Sequence, residues 1–244
     1  MLVDVWTVTW KEWRELIAQR RNLHEGAVSL LLILGVFGIV WPVGQGVHWL
    51  ASPLVMFLSG WVPFMLVTSA VADAFAGERE RHTLETLLAT RLPDRAILLG
   101  KICAVVSYGW GITLLILLLG WASVNVVHGG AGLLFYRGVI GWGSVALSLL
   151  GAALAAHLGV LVSLRAPTVR QAQQTLSLVA MVIPFLVVYG GRVLPDEIRM
   201  RLIEWATMTE NVSILIVLSV LGLLNVGLLL LATIRFRRDR LILD

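Results

Sequence analysis

The chain has 244 residues, of which 58% are hydrophobic and 14% charged, and its mean hydropathy is +0.88. A soluble domain carries about 45–50% apolar and about 25% charged residues, so this composition excludes one and describes an integral membrane protein. The formal charge of +4, from 19 Lys+Arg against 15 Asp+Glu, reports loop orientation in such a chain and not nucleic-acid binding. The single cysteine, Cys103, excludes an internal disulfide and a metal site built on several thiolates.

Residues 1–25 precede the first apolar run. Trp6, Trp10, Trp13 and Ile17 recur at helical spacing, with Lys11, Glu12, Arg14, Glu15 and Gln19 on other faces, the pattern of a helix lying in the membrane interface. The charged stretch is too long for a secretory leader, and no small-residue cleavage site follows Trp41-Pro42, so the segment is expected to be retained. A simple anchor and a lever joined to the first span explain it equally well.

Six runs are long enough to cross about 30 Å of hydrocarbon at about 1.5 Å per residue. They extend from Gly26 to Val43, Leu50 to Ala72, Ala96 to Trp121, Gly138 to Leu164, Thr175 to Gly190 and Val212 to Ile234. Alternation with period two is absent, which excludes a barrel. The expected fold is all-α: six transmembrane helices in one domain covering residues 1–244.

Of the 19 Lys+Arg, 15 fall at the two ends and in the loops after spans two and four, leaving Arg137, Arg192, Arg199 and Arg201 for the opposite side. The positive-inside rule therefore puts both termini in the cytoplasm. Trp41, Trp49, Trp121 and Trp142 then fall at the outer interface, where amphipathic rings are favoured.

The loop after span two, residues 77–95 and its continuation to Lys101, is dense in charge. Within it Leu84, Leu87 and Leu88 form a short apolar stripe flanked by Glu85, Thr86 and Arg91. Pro93 disfavours helix at Leu92, so the segment breaks there, and Asp94 is placed to cap the third span. A three-leucine stripe cannot fold alone and must lie on lipid or fill a groove in another protein. The alternating signs of Glu78, Arg79, Glu80 and Arg81 favour the protein groove, since an anionic lipid surface selects only Lys and Arg.

The outer segment 191–211 is a second amphipathic candidate. Pro195, Asp196 and Glu197 suit a first helical turn, and Ile198, Leu202, Trp205 and Met208 share one face. A helix flat on the outer surface and a re-entrant helix before span six both remain open.

Chemistry is sparse. No Asp or Glu lies within a span, Asp73 sits only at the end of span two, and His157 is the one titratable group at depth, where a lone histidine is more often a packing residue than a proton relay. Gly100-Lys101 lacks the glycine and the Ser or Thr of a phosphate loop, because Arg95 and Ile102 occupy those positions. No catalytic or metal-binding residues stand out. The small residues Gly151, Ala155 and Gly159, with Ala152 and Ala156, make a stride-four ridge suited to close packing within one bundle or, less favoured, at a subunit seam.

The run Glu78-Arg79-Glu80-Arg81-His82-Thr83-Leu84-Glu85-Thr86-Leu87-Leu88, followed by Arg95, Leu99, Gly100 and Lys101, resembles the E-x-E-x-x-T-L-E-x-L-L…GK signature in the first cytoplasmic loop of ABC-2 type transporter permeases. His82 stands where that family commonly has Gly. The resemblance implies an interfacial elbow helix at residues 1–25 and a coupling helix between spans two and three. It implies a separate ABC ATPase subunit, which binds ATP and Mg and is contacted by Glu78, Arg79, Glu80, Arg81, His82, Thr83, Leu84, Glu85, Leu87, Leu88 and Arg91. It also implies a second permease copy, identical or paralogous, in a bacterial or archaeal cell membrane. This chain would hold no cofactor and catalyse nothing itself. The residues alone leave another reading open, a membrane scaffold or assembly factor that recruits a soluble partner through the same loop without transport. Short outer loops and apolar spans favour an amphipathic or lipid-linked cargo.

Overall fold

The computed structural model describes residues 1–22, 24–81, 92–130, 132–193, 195–201 and 210–236. Helix α1 spans Leu2–Asn22. Helix α2 starts at His24–Gly35 and continues through a π turn, Val36–Val40, a short helix, Trp41–Gln45, and a 3₁₀ turn, Gly46–Ala51. Helix α3, Pro53–Ala72, likewise continues through a π turn, Asp73–Gly77, into Glu78–Glu80. Then follow α4 (Asp94–His128), α5 (Gly138–Ser163), α6 (Val169–Val193) and α7 (Glu210–Arg235).

Five helical stretches, Val28–Ala51, Pro53–Glu80, Asp94–His128, Gly138–Ser163 and Asn211–Arg235, are long and apolar enough to cross a membrane. Helix α6, with 25 residues, carries the fifth run read from the sequence. The all-α membrane fold is therefore present.

Two boundaries differ from the sequence reading. The first span does not stop at Val43: the wider π turn, closed by the Trp41 N–H on the Val36 carbonyl, precedes Pro42, which offers no N–H of its own, so the helix passes the proline and reaches Ala51. Trp49 is consequently turned inward and is only 2% exposed, packed with Leu50, Val55 and Ile116. Helix α4 is 35 residues long, about 52 Å, which exceeds the roughly 30 Å of a bilayer's hydrocarbon. It begins as the proline rule requires, but the N-cap is Pro93, whose carbonyl accepts from Ala96 N and Ile97 N at 2.8 and 3.2 Å. Asp94 lies in the first turn and is not the cap.

Helices α3 and α5 pack against each other more extensively than any other pair. In lipid the hydrophobic effect offers little drive for helix association, and close backbone approach replaces it. The ridge Gly151–Gly159 faces α3: a Cβ at Gly151 would collide with the Gly60 carbonyl, and one at Gly159 with Val71. Ala152, Ala155 and Ala156 are fully buried between them. Helix α1 crosses α4 at Gly100, where a Cβ would come within 2.6 Å of Val8 Cβ, and Thr9 Oγ1 donates to the Gly100 carbonyl at 3.2 Å.

Candidate functional site

Glu78 and Lys101, from the two ends of the loop, meet where α1, α3 and α4 come together at one end of the bundle. The Gly100-Lys101 pair makes this junction. Gly100 lets α1 approach, and the next residue, Lys101, is fully buried beneath it. Its Nζ donates to Glu12 Oε1 of α1 at 2.8 Å and to the Ala74 carbonyl at 2.9 Å, and forms an ion pair with Glu78 Oε1 at 2.8 Å. The Phe75 ring lies 5.6 Å from the same ammonium, within cation–π range.

One ammonium between two buried carboxylates is not neutral. Lys11, half-exposed on α1, supplies the second positive charge at 3.4 Å from Glu12 and 3.5 Å from Glu78, and also pairs with Glu15 at 3.3 Å. Burial works to lower the Lys11 pKa, but the carboxylates of Glu12, Glu78 and Glu15 outweigh it and hold the pKa above the ordinary lysine value.

The resemblance implies that Glu78 contacts the ATPase subunit; within this chain its carboxylate turns into the bundle, at 9% residue exposure. The π turn before it resets which face of the helix points inward, and Lys101 is the charge that makes its burial tolerable. Arg79 and Glu80 are exposed and grip the turn between α5 and α6. Arg79 Nη1 donates to the Leu164 carbonyl at the end of α5 (3.0 Å), and Glu80 Oε2 accepts from Val169 N at the start of α6 (3.0 Å). Arg81 folds back, donating from Nε to the Gly77 carbonyl and pairing with Asp73 at 3.0 Å. A four-residue stretch thus holds α1, α4, α5 and α6 to the end of α3. His82, Thr83, Leu84, Glu85, Leu87, Leu88 and Arg91 lie outside the described residues.

On α1, Trp6, Trp10 and Ile17 are exposed along one side, with Arg14 stacked over Trp10 at 5.7 Å. Trp13 is half-buried and donates to Ser107 Oγ at 2.8 Å. The opposite side buries Val8, Glu12 and Leu16 against the bundle. Glu12 had read as a solvent-facing charge; its spacing of four from both Val8 and Leu16 was the available signal. In the outer segment, residues 196–201 are helical and Ile198 is exposed; Leu202, Trp205 and Met208 lie outside the described residues.

His157 donates from Nδ1 to Asn225 Oδ1 at 2.9 Å, and Asn225 Nδ2 donates to the carbonyls of Leu150 and Leu221 at 3.2 and 2.9 Å. This buried set joins α5 to α7. Among the described residues no three His, Cys, Asp or Glu side chains converge on a metal-sized site.

The junction contains no nucleophile with a base beside it. It bonds three helices to one another, and of its residues Glu78, Gly100 and Lys101 belong to the sequence signature. A family model, ABC-2 type transporter, matches residues 3–209. No curated protein matches the chain. With the match covering most of its length, including α1 and the whole charged loop, the chain belongs to the ABC-2 type transporter family and is a membrane permease component.

Proposed function

We propose that this permease couples ATP hydrolysis on a separate ABC ATPase subunit to export of a substrate, with both termini and the 77–101 loop in the cytoplasm. The observation that carries this reading is the buried Lys101–Glu12–Glu78 junction. A displacement of the loop 82–91 pulls on the end of α3. That end is bonded rigidly to α1 and α4 through buried ions and to α5 and α6 through Arg79 and Glu80, so the helices move together. Interfacial α1, with its exposed Trp6 and Trp10, then acts as a lever lying along the membrane. A second permease copy, identical or paralogous, completes the path, and two ATPase subunits supply the stroke.

The test is reconstitution with the co-purified ATPase subunit in liposomes, comparing the wild type with L84D/L88D. Two carboxylates forced into a partner's groove cost several kcal/mol if fully buried, so the ATPase is expected to dissociate, or its hydrolysis to run uncoupled from transport. Wild-type association with wild-type coupling in the double variant would refute the proposal. Association without any stimulated hydrolysis in the wild type would favour the scaffold reading instead.

A further inference from the structure

At the cytoplasmic end, α6 and α7 part over the last turn of α5 and leave a cleft of about 450 Å³, inside the roughly 300–1,000 Å³ range of small-molecule sites. Its upper wall carries Arg165 and Arg235, from helices 70 positions apart in the sequence, together with Gln171 and Thr175 in the first turns of α6. Its lower wall is apolar, Leu161 from α5 and the half-exposed Leu231 from α7.

Both guanidiniums are exposed, and among the described residues neither has a carboxylate partner. Arginines at helix ends commonly do no more than reach for the interface and set orientation. Here two of them converge on one cleft whose polar half lies at the cytoplasmic interface and whose apolar half continues into the hydrocarbon. Guanidinium forks match phosphate oxygens in pairs. Basic pockets between transmembrane helices on the cytoplasmic side suit anionic headgroups. The apolar wall excludes a free anion as the best occupant, because half of the cleft would stay unfilled.

We propose that this cleft is a binding site for a phosphate-headed anionic lipid of the inner leaflet, its phosphate between Arg165 and Arg235 and an acyl chain along Leu161 and Leu231. The site adjoins Leu164 and Val169, the two residues held by Arg79 and Glu80, so the bound lipid abuts the turn that the charged loop grips. The proposal rests on the orientation proposed above but not on transport, and it is tested without an ATPase.

The purified full-length permease in a mild detergent would be titrated with phosphatidylglycerol, phosphatidylcholine and inorganic phosphate, and bound lipid counted by native mass spectrometry. Phosphatidylglycerol is expected to bind at least tenfold more tightly than phosphatidylcholine, inorganic phosphate not to compete with it, and R165Q/R235Q to lose that preference while R165K/R235K keeps part of it. A photoreactive acyl chain on phosphatidylglycerol is expected to label the wild type within residues 161–175 and 228–236, a readout that needs no variant. Equal binding of the two lipids, displacement by phosphate, an unchanged preference in R165Q/R235Q, labelling elsewhere, or no lipid retained because a second copy covers the cleft would each overturn it.

Discussion

Lys101 of α4 and Glu12 of α1, 89 positions apart in the sequence, meet at 2.8 Å with both side chains nearly excluded from solvent. Breaking a buried pair by removing one partner typically costs about 3–5 kcal/mol, whereas replacing the whole set by apolar residues of similar size is often neutral. K101M leaves Glu12 and Glu78 facing each other and is expected to lower the thermal midpoint of the detergent-solubilised protein sharply. E12L/E78L/K101M is expected to recover most of the stability without recovering coupled transport. An unchanged midpoint in K101M would mean that the buried ions are not closed in the folded protein.

Gly100 is the contact point of α1 on α4, and any larger side chain there strikes Val8. G100V is expected to cost about 1–3 kcal/mol, the usual range for overpacking, and to push Glu12 away from Lys101. In a C103S background, a short thiol cross-linker joining cysteines at positions 13 and 107 should react efficiently in the parent and poorly with G100V added. Equal cross-linking in both would show that α1 reaches Ser107 without the close crossing.

Arg79 and Glu80 tie the end of α3 to α5 and α6 through exposed hydrogen bonds, and such contacts contribute about 1 kcal/mol or less to stability. R79A/E80A should therefore melt within a few degrees of the wild type and still bind the ATPase subunit. The expected change is in coupling: hydrolysis continues while transport per ATP falls. Retained coupling would confine the transmission path to α1 and α4.

His157 and Asn225 fasten α5 to α7, and glutamine at position 157 can keep a hydrogen bond to Asn225 without titrating. H157Q is expected to retain transport, whereas N225L, which strands the His157 ring in the bundle, should lose about 1–3 kcal/mol of stability. Proton-dependent transport abolished in H157Q would restore histidine as a relay.

Orientation is open to direct labelling. In a C103S background, cysteines at positions 80 and 238 are expected to be shielded from an impermeant external thiol reagent, and one at position 197 to react. Labelling of position 80 from outside would reverse the topology and remove the loop from any cytoplasmic partner.

Hydrophobic run length and the asymmetry of Lys and Arg are properties of the chain itself, so the membrane class, the helical spans, the break at Pro93 and the family signature were legible in the residues. The bilayer imposes its thickness and its charge bias on any sequence before tertiary contacts form. Two things lay beyond that reach. Helix ends that depend on backbone detail were misplaced: the π turn before Pro42 carries the first span to Ala51 and buries Trp49, and a proline in a sequence does not announce whether a wider turn will accommodate it. The inward turn of Glu78 and the burial of Glu12 and Lys101 were invisible as well. A charge reads as solvated until a residue of opposite charge, here Lys101, 89 positions from Glu12 and 23 from Glu78, is brought near enough to offset its desolvation. The crossing of α1 over α4 at Gly100 brings Glu12 to Lys101, and the packing of α3 on α4, with the π turn Asp73–Gly77, brings Glu78 to it, which is why tertiary structure decided that these charges lie within the bundle.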